Sequence, residues 1–149
     1  MVHDVMLCED MVQNVFLKFY ENYKLLRNKD SAKYWIYTTA RNEVYTFFRS
    51  KKIRVDQFNV LDSDTIEFDS MESVELDVER EELKSIIMNH LESMALEQRE
   101  VYLLKEYGGL SYREISKLMN ISEDLVKSRL FKTRRKLINH ISKLVNEEL

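Results

Sequence analysis

The scarcity of turn residues decides most of what this chain can fold into. Proline is absent from its 149 residues, and glycine occurs only at Gly108 and Gly109. A β-rich fold needs residues that preset φ or accept positive φ at each tight turn. The sequence therefore predicts an all-α protein. The hydrophobic pattern agrees. Val12, Val15, Phe16, Phe19, Tyr23 and Leu26 fall on one stripe at helical spacing, which predicts a first helix from about Asp4 to Leu26. Asn28, Lys29, Asp30 and Ser31 interrupt the pattern and offer N-caps. A second helix is expected over about Ala32 to Lys52, with Ile36, Ala40, Val44 and Phe47 along one side.

Between Val55 and Asp77 the helical period is lost, and Asp62, Asp64, Glu67, Asp69, Glu72 and Glu75 alternate with single apolar residues. The expected architecture is two small helical domains, residues 1–54 and 78–149, joined by an acidic linker at 55–77 that acts as a solvated spacer. Charge follows the same division. Residues 31–56 hold six Lys/Arg against two Asp/Glu, residues 57–82 one against ten, and residues 121–145 seven against two. The net charge of −3 thus hides two cationic segments suited to a polyanion.

Other chemistries find little support. Cys8 is the one cysteine, and His3, His90 and His140 are scattered, so the spacing predicts neither a disulfide framework nor a metal site. No glycine-rich phosphate loop or nucleophile–base pair is present, so no cofactor and no catalytic residue is expected. No run approaches the roughly 20 apolar residues of a membrane span. A cytoplasmic protein without membrane insertion is the expectation.

In the second half, the helical pattern resumes with Val78, Leu83, Ile86, Ile87 and Leu91. A helix over about Leu96 to Tyr107, with Val101, Leu104 and Tyr107 inward, stops at Gly108-Gly109. Ser111-Tyr112-Arg113-Glu114 then reads as a capping box that starts a short helix, Tyr112 to Met119. Asn120 suits a left-handed turn, and Ser122 caps a longer helix reaching about Leu144. A short capped helix, a tight turn and a longer basic helix make a helix-turn-helix pattern. On the last helix Val126, Leu130, Thr133 and Leu137 form the expected buried stripe. Ser128, Phe131 and Arg135 lie opposite, flanked by Lys127 and Lys132. A phenylalanine centred on a cationic face suits contact with thymine methyls or sugars, while Lys and Arg reach phosphates and guanine edges. A solvated basic helix with one stray apolar residue is the plainer alternative.

These residues carry a family resemblance. Glu97-Gln98-Arg99-Glu100-Val101, Tyr107 through Ile115, Ile121-Ser122 and Val126-Lys127-Ser128-Arg129-Leu130 closely resemble region 4 of bacterial extracytoplasmic-function (ECF) sigma factors. The resemblance implies binding of the promoter's minus-thirty-five element. It places Lys127, Ser128, Phe131 and Lys132 at DNA-contacting positions, with Arg129 and Arg135 as supports. Ala95, Asn120 and Leu125 stand where the family usually has proline, glycine and threonine.

The first half resembles region 2 of the same family. Glu9 through Leu17 resembles the helix that docks on the clamp helices of the largest polymerase subunit. From spacing alone, Asp10, Gln13, Asn14 and Glu21 share the face opposite the apolar stripe, with Leu17 in its middle, an apolar anchor with a polar rim. An ordinary solvated face with a stray leucine reads equally well. Asn14 stands where the family usually has glutamate. Tyr34-Trp35-Ile36-Tyr37 with Ala40-Arg41-Asn42 resembles the segment that melts and reads the minus-ten element. Tyr34, Arg41, Tyr45, Arg49 and Lys52 fall on one face, a cationic stripe interleaved with aromatic rings suited to single-stranded DNA. Trp35 and Tyr37 are expected to be partly buried. Family members usually carry another helix before Asp10, so region 2 is expected to lack its first helix and to leave apolar surface exposed.

The expected function is that of a sigma factor: a non-enzymatic subunit that directs core RNA polymerase to promoters. The expected partners are the polymerase clamp helices and flap, promoter DNA, and an anti-sigma factor. The alternatives are a helix-turn-helix regulator that does not bind core polymerase, and a reduced sigma-like protein that sequesters an anti-sigma partner.

Overall fold

The computed structural model describes the backbone of residues 4–28, 31–58 and 75–148, and their side chains apart from 52–58 and 75–77. The described residues are helical and fall into two units, Met1–Asp69 and Ser70–Leu149. Most of the acidic segment expected as a linker, 59–74, lies outside the described residues, as do Lys29 and Asp30.

In the first unit, Asp4 starts helix α1 (Val5–Asn22), its Oδ1 accepting from the Leu7 amide at 3.1 Å. A 3-10 turn, Tyr23–Leu25, ends it. Helix α2 (Ala32–Phe58) packs against α1 and continues six residues beyond the Lys52 end that the apolar pattern suggests. Phe19 meets Trp35 with ring centroids 5.8 Å apart, and Lys18 forms an ion pair with Glu43. Trp35 and Tyr37 are half-buried, as expected. The face that α1 turns inward is rotated from the expected stripe. Val15 is buried, with Leu7, Cys8, Met11 and Phe19 partly covered beside it, while Val12 and Phe16 are more than half exposed. Apolar residues cover more than half of α1's circumference, and α2 packs on one side of it. A single neighbour covers one strip and leaves the next strip open.

The second unit holds α3 (Glu75–Glu92), α4 (Leu96–Tyr102), α5 (Tyr112–Met119) and α6 (Glu123–Glu148). Its core is continuous. Leu91, Val101, Leu110, Ile115, Val126 and Leu130 are almost fully buried. Leu91, Met94 and Leu137 join α3 to α6, with Ile87, Met88, Tyr102 and Leu103 packed against them. Each such side chain contributes about 1.5–3 kcal/mol of burial free energy. Thr133 is also buried; its hydroxyl donates to the Arg129 carbonyl at 2.7 Å and is thereby matched. Val78 and Leu83, with which the helical pattern resumes, are exposed on α3.

Helix α4 runs on as one π turn, Leu103–Tyr107, closed by the Gly108 amide donating to the Leu103 carbonyl at 2.9 Å. The extra residue in that turn rotates the positions after it, so Tyr107, expected inward, is half exposed while Leu104 stays buried. The stop uses the glycines in turn. Gly108 remains right-handed, and Gly109 takes φ 62°.

Candidate nucleic-acid interface

The helix-turn-helix is built from local signals. Ser111 Oγ accepts from the Glu114 amide at 3.1 Å, and Glu114 Oε1 accepts from the Ser111 amide at 3.3 Å, completing the capping box of α5. Asn120 ends α5 with φ 55° and ψ 49°, the left-handed conformation that the family's usual glycine would take. The Ile121 amide then returns to the Ser116 carbonyl at 3.1 Å. Ser122 Oγ accepts from the Leu125 amide at 3.1 Å and opens α6. Ala95 has φ −56° and ψ 142°, values that a proline adopts without strain.

Helix α6 has two sides. Val126, Leu130, Thr133 and Leu137 are buried, the four residues expected to be inward. Lys127, Ser128, Phe131, Lys132 and Arg135 are all exposed or partly exposed, Phe131 at 64%, and Arg129 lies on the same helix beside them. Lys127 is not a loose cation: its Nζ lies 5.6 Å from the Tyr112 ring centre on α5, and Lys105 Nζ lies 4.5 Å from the same ring. Arg134, not singled out from the sequence, forms an ion pair with Glu106 through Nε at 2.8 Å. That pair ties α6 to the π turn and so helps set the angle of the exposed face.

On the first unit, Asp10, Gln13, Asn14 and Leu17 are exposed together on α1, Leu17 at 60%. On α2, Tyr34, Arg41 and Tyr45 are half-buried and Arg49 is exposed. The Arg41 guanidinium lies 4.5 Å from the Tyr45 ring centre, joining a cation to an aromatic face on one side of the helix. Lys52 belongs to α2, and its side chain lies outside the described residues.

Sequence reading missed one juxtaposition. His90 of α3 and His140 of α6 stack with ring centroids 3.9 Å apart and planes 1° from parallel. Burial, His140 and then Lys136 hold His90 below the ordinary imidazole range. Fifty positions separate the two histidines, and no local periodicity links them. Among the described residues, no group of three or more His, Cys, Asp or Glu is placed to hold a metal ion, and no helix is long and apolar enough to cross a membrane.

Comparison with known proteins fits this geometry. Residues 1–53 match the family description for sigma-70 region 2, and residues 84–137 match that for sigma-70 region 4. The ECF RNA polymerase sigma-E factor of Escherichia coli K12 is 32% identical over 146 residues, covering 91% of this chain and 74% of that protein. The ECF RNA polymerase sigma factor SigM of Bacillus subtilis is 30% identical over 153 residues, covering 99% of this chain and 88% of that one. Among solved structures, the sigma factor RpoE of Bartonella quintana, crystallised with the anti-sigma factor NepR, superposes with a TM-score of 0.68 at 24% identity. That match covers 90% of this chain and 80% of the other. The region 2 match begins at residue 1. With both regions matched and relatives at this identity, the chain belongs to the ECF sigma factors, non-enzymatic subunits that bind core RNA polymerase and direct it to promoters.

Proposed function

We propose a residue-level division of labour within this sigma factor. The outer face of α1, with Leu17 as apolar anchor among Asp10, Gln13 and Asn14, docks on the clamp helices of the largest polymerase subunit. Exposure of all four residues supports this reading. Tyr34, Arg41, Tyr45, Arg49 and Lys52 of α2 hold the melted minus-ten strand, stacking bases and tracking phosphates. The Arg41–Tyr45 pair supports that role. Lys127, Ser128, Phe131, Lys132 and Arg135 of α6 read the upstream element, with Arg129 as support. Residues 1–54 form the polymerase-binding and melting domain, 55–77 the acidic spacer and 78–149 the domain that reads the upstream element and meets the polymerase flap. Duplex opening draws on binding energy at unstacked bases. The protein works in the cytoplasm, and an anti-sigma factor is a further partner, as NepR is for the structural relative.

The observation that carries the DNA reading is the exposure of Phe131 at the centre of a cationic face whose opposite stripe is wholly buried. Nothing in the folding of α6 requires an aromatic ring there. The test is reconstitution of the full chain with core polymerase and sequencing of run-off transcripts from sheared genomic DNA. The expected result is a discrete set of start sites sharing two upstream elements. Core binding without such sites would favour a partner-sequestering protein, and no core binding at all would favour a stand-alone helix-turn-helix regulator.

A further inference from the structure

The stacked histidines lie in a cleft of about 730 Å³ on a different side of α6 from Phe131. Its α6 wall carries Arg129, Lys132, Lys136 and Lys143 in one row. At about 1.5 Å rise per residue the row is roughly 21 Å long. The facing wall comes from the end of α3, with His90, and from the start of α4, with Glu97 the one carboxylate lining the cleft. Lys132 belongs both to this row and to the face centred on Phe131, so the two surfaces are continuous.

We propose that this cleft is a phosphate clamp that seats the backbone of duplex DNA flanking the element read by α6, with Lys136, Lys143 and the His90–His140 pair supplying charge. The clamp rests on the reading of α6 as the DNA-facing helix. The charge balance excludes a cation as the natural occupant: two imidazoles bordered by four Lys/Arg side chains and one carboxylate attract an anion. A narrow metal site would also need a third ligand, and none is placed there among the described residues. Continuity with the Phe131 face selects DNA over a free anion.

The histidines give the clamp a proton linkage. Lining the cleft with the pair are Arg129, Lys132, Lys136 and Lys143 of α6, whose charge opposes protonation, Lys136 acting directly on His90, and Glu97 of α4, whose charge favours it. Two charged rings at stacking distance repel, and burial, His140 and Lys136 hold His90 below the ordinary imidazole range. A phosphate entering the cleft adds negative charge beside both rings and raises their affinity for protons. DNA binding therefore takes up protons and strengthens as pH falls through the imidazole range.

The test uses the full chain and a fluorescein-labelled random-sequence duplex of about 30 base pairs, long enough for several phosphate contacts. Anisotropy titrations are run at pH of about 6 and 8, on either side of the imidazole range, and at several salt concentrations. Wild-type affinity should be roughly three- to tenfold higher at the lower pH, and the His90→Gln/His140→Gln double variant should respond less than about twofold. Lys143→Gln, at an exposed site, should flatten the salt slope by about one unit. In the wild type, the NMR titration midpoints of both imidazoles should rise when saturating duplex is added. The clamp is overturned if those midpoints stay fixed, if the double variant keeps the full pH response, or if inorganic tripolyphosphate shifts the imidazoles and duplex does not. Phe131→Ala separates the two ideas, because it alters preference among sequences and leaves the pH response in place. A wild type with no pH response but intact Phe131-dependent preference overturns the clamp alone.

Discussion

The two units place their apolar residues very differently. In the second unit Leu91, Val101, Leu110, Ile115, Val126 and Leu130 are almost fully buried, and the core is shared by α3 through α6. In the first unit Val15 is the one almost fully buried hydrophobic side chain among those described, while Val12, Phe16, Leu17, Tyr20 and Leu25 all stand exposed on or just after α1. Folding accounts for the first arrangement. The second is the pattern expected where an apolar surface serves association, and it agrees with the proposed role of α1 in docking.

Core truncation should separate the two units most strongly. Leu137→Ala removes a buried contact between α6 and α3 and should cost about 2–5 kcal/mol in urea denaturation. Phe16→Ala, on the open side of α1, should change stability by less than about 0.5 kcal/mol. Comparable losses would mean that the two units are equally dependent on packing. The next effect is on association. Leu17→Glu puts a charge in the middle of the proposed docking face and should weaken core polymerase binding by about 2 kcal/mol or more, with helicity unchanged. Unaltered affinity in a binding titration would rule that face out.

A smaller effect probes the turn of the helix-turn-helix. Asn120 holds φ 55°, so Asn120→Ala should cost about 1 kcal/mol while Asn120→Gly stays near neutral. Equal midpoints for the two variants would show that the left-handed turn is not under strain. The least effect is expected from pH in the DNA-free protein. The folded state holds His90 below its ordinary range, first through burial and then through His140 and Lys136. It therefore binds fewer protons than the unfolded chain around that range, and stability rises with pH. The contribution is whole above the ordinary imidazole range and is lost as pH falls through it toward the depressed value. His90→Gln should flatten the dependence of the urea midpoint between about pH 8 and pH 5.5.

How much was legible in the sequence depends on whether the cause is local. The α5–turn–α6 segment was readable residue by residue, because its signals sit within four residues of their effects. Ser111 reaches Glu114, Ser122 reaches Leu125, and Asn120 needs no partner to turn left-handed. The buried stripe of α6 followed from its period, since Val126, Leu130, Thr133 and Leu137 recur at helical spacing. On α1 the same reasoning chose Val12 and Phe16 over Met11 and Leu7. Hydropathy cannot rank adjacent apolar strips when only the position of a neighbour decides between them. The rotation of Tyr107 was hidden because one extra residue in a π turn changes the register without changing composition. The His90–His140 stack and the Arg134–Glu106 pair were hidden because each joins helices distant in sequence.

Phe131 and Arg135 are proposed to face the upstream promoter element from an α6 whose other side is the core. The most direct test titrates the holoenzyme, with wild-type, Phe131→Ala and Arg135→Ala chains, against a duplex from a mapped start site and its scrambled counterpart at several salt concentrations. Phe131 cannot form an ion pair, so Phe131→Ala should lower the specific-to-scrambled ratio with little change in salt slope. Arg135→Ala should lower affinity for both duplexes and flatten the slope by about one unit. A specific-to-scrambled ratio untouched by Phe131→Ala would refute this placement, because α6 would then enter the groove by another face or not at all.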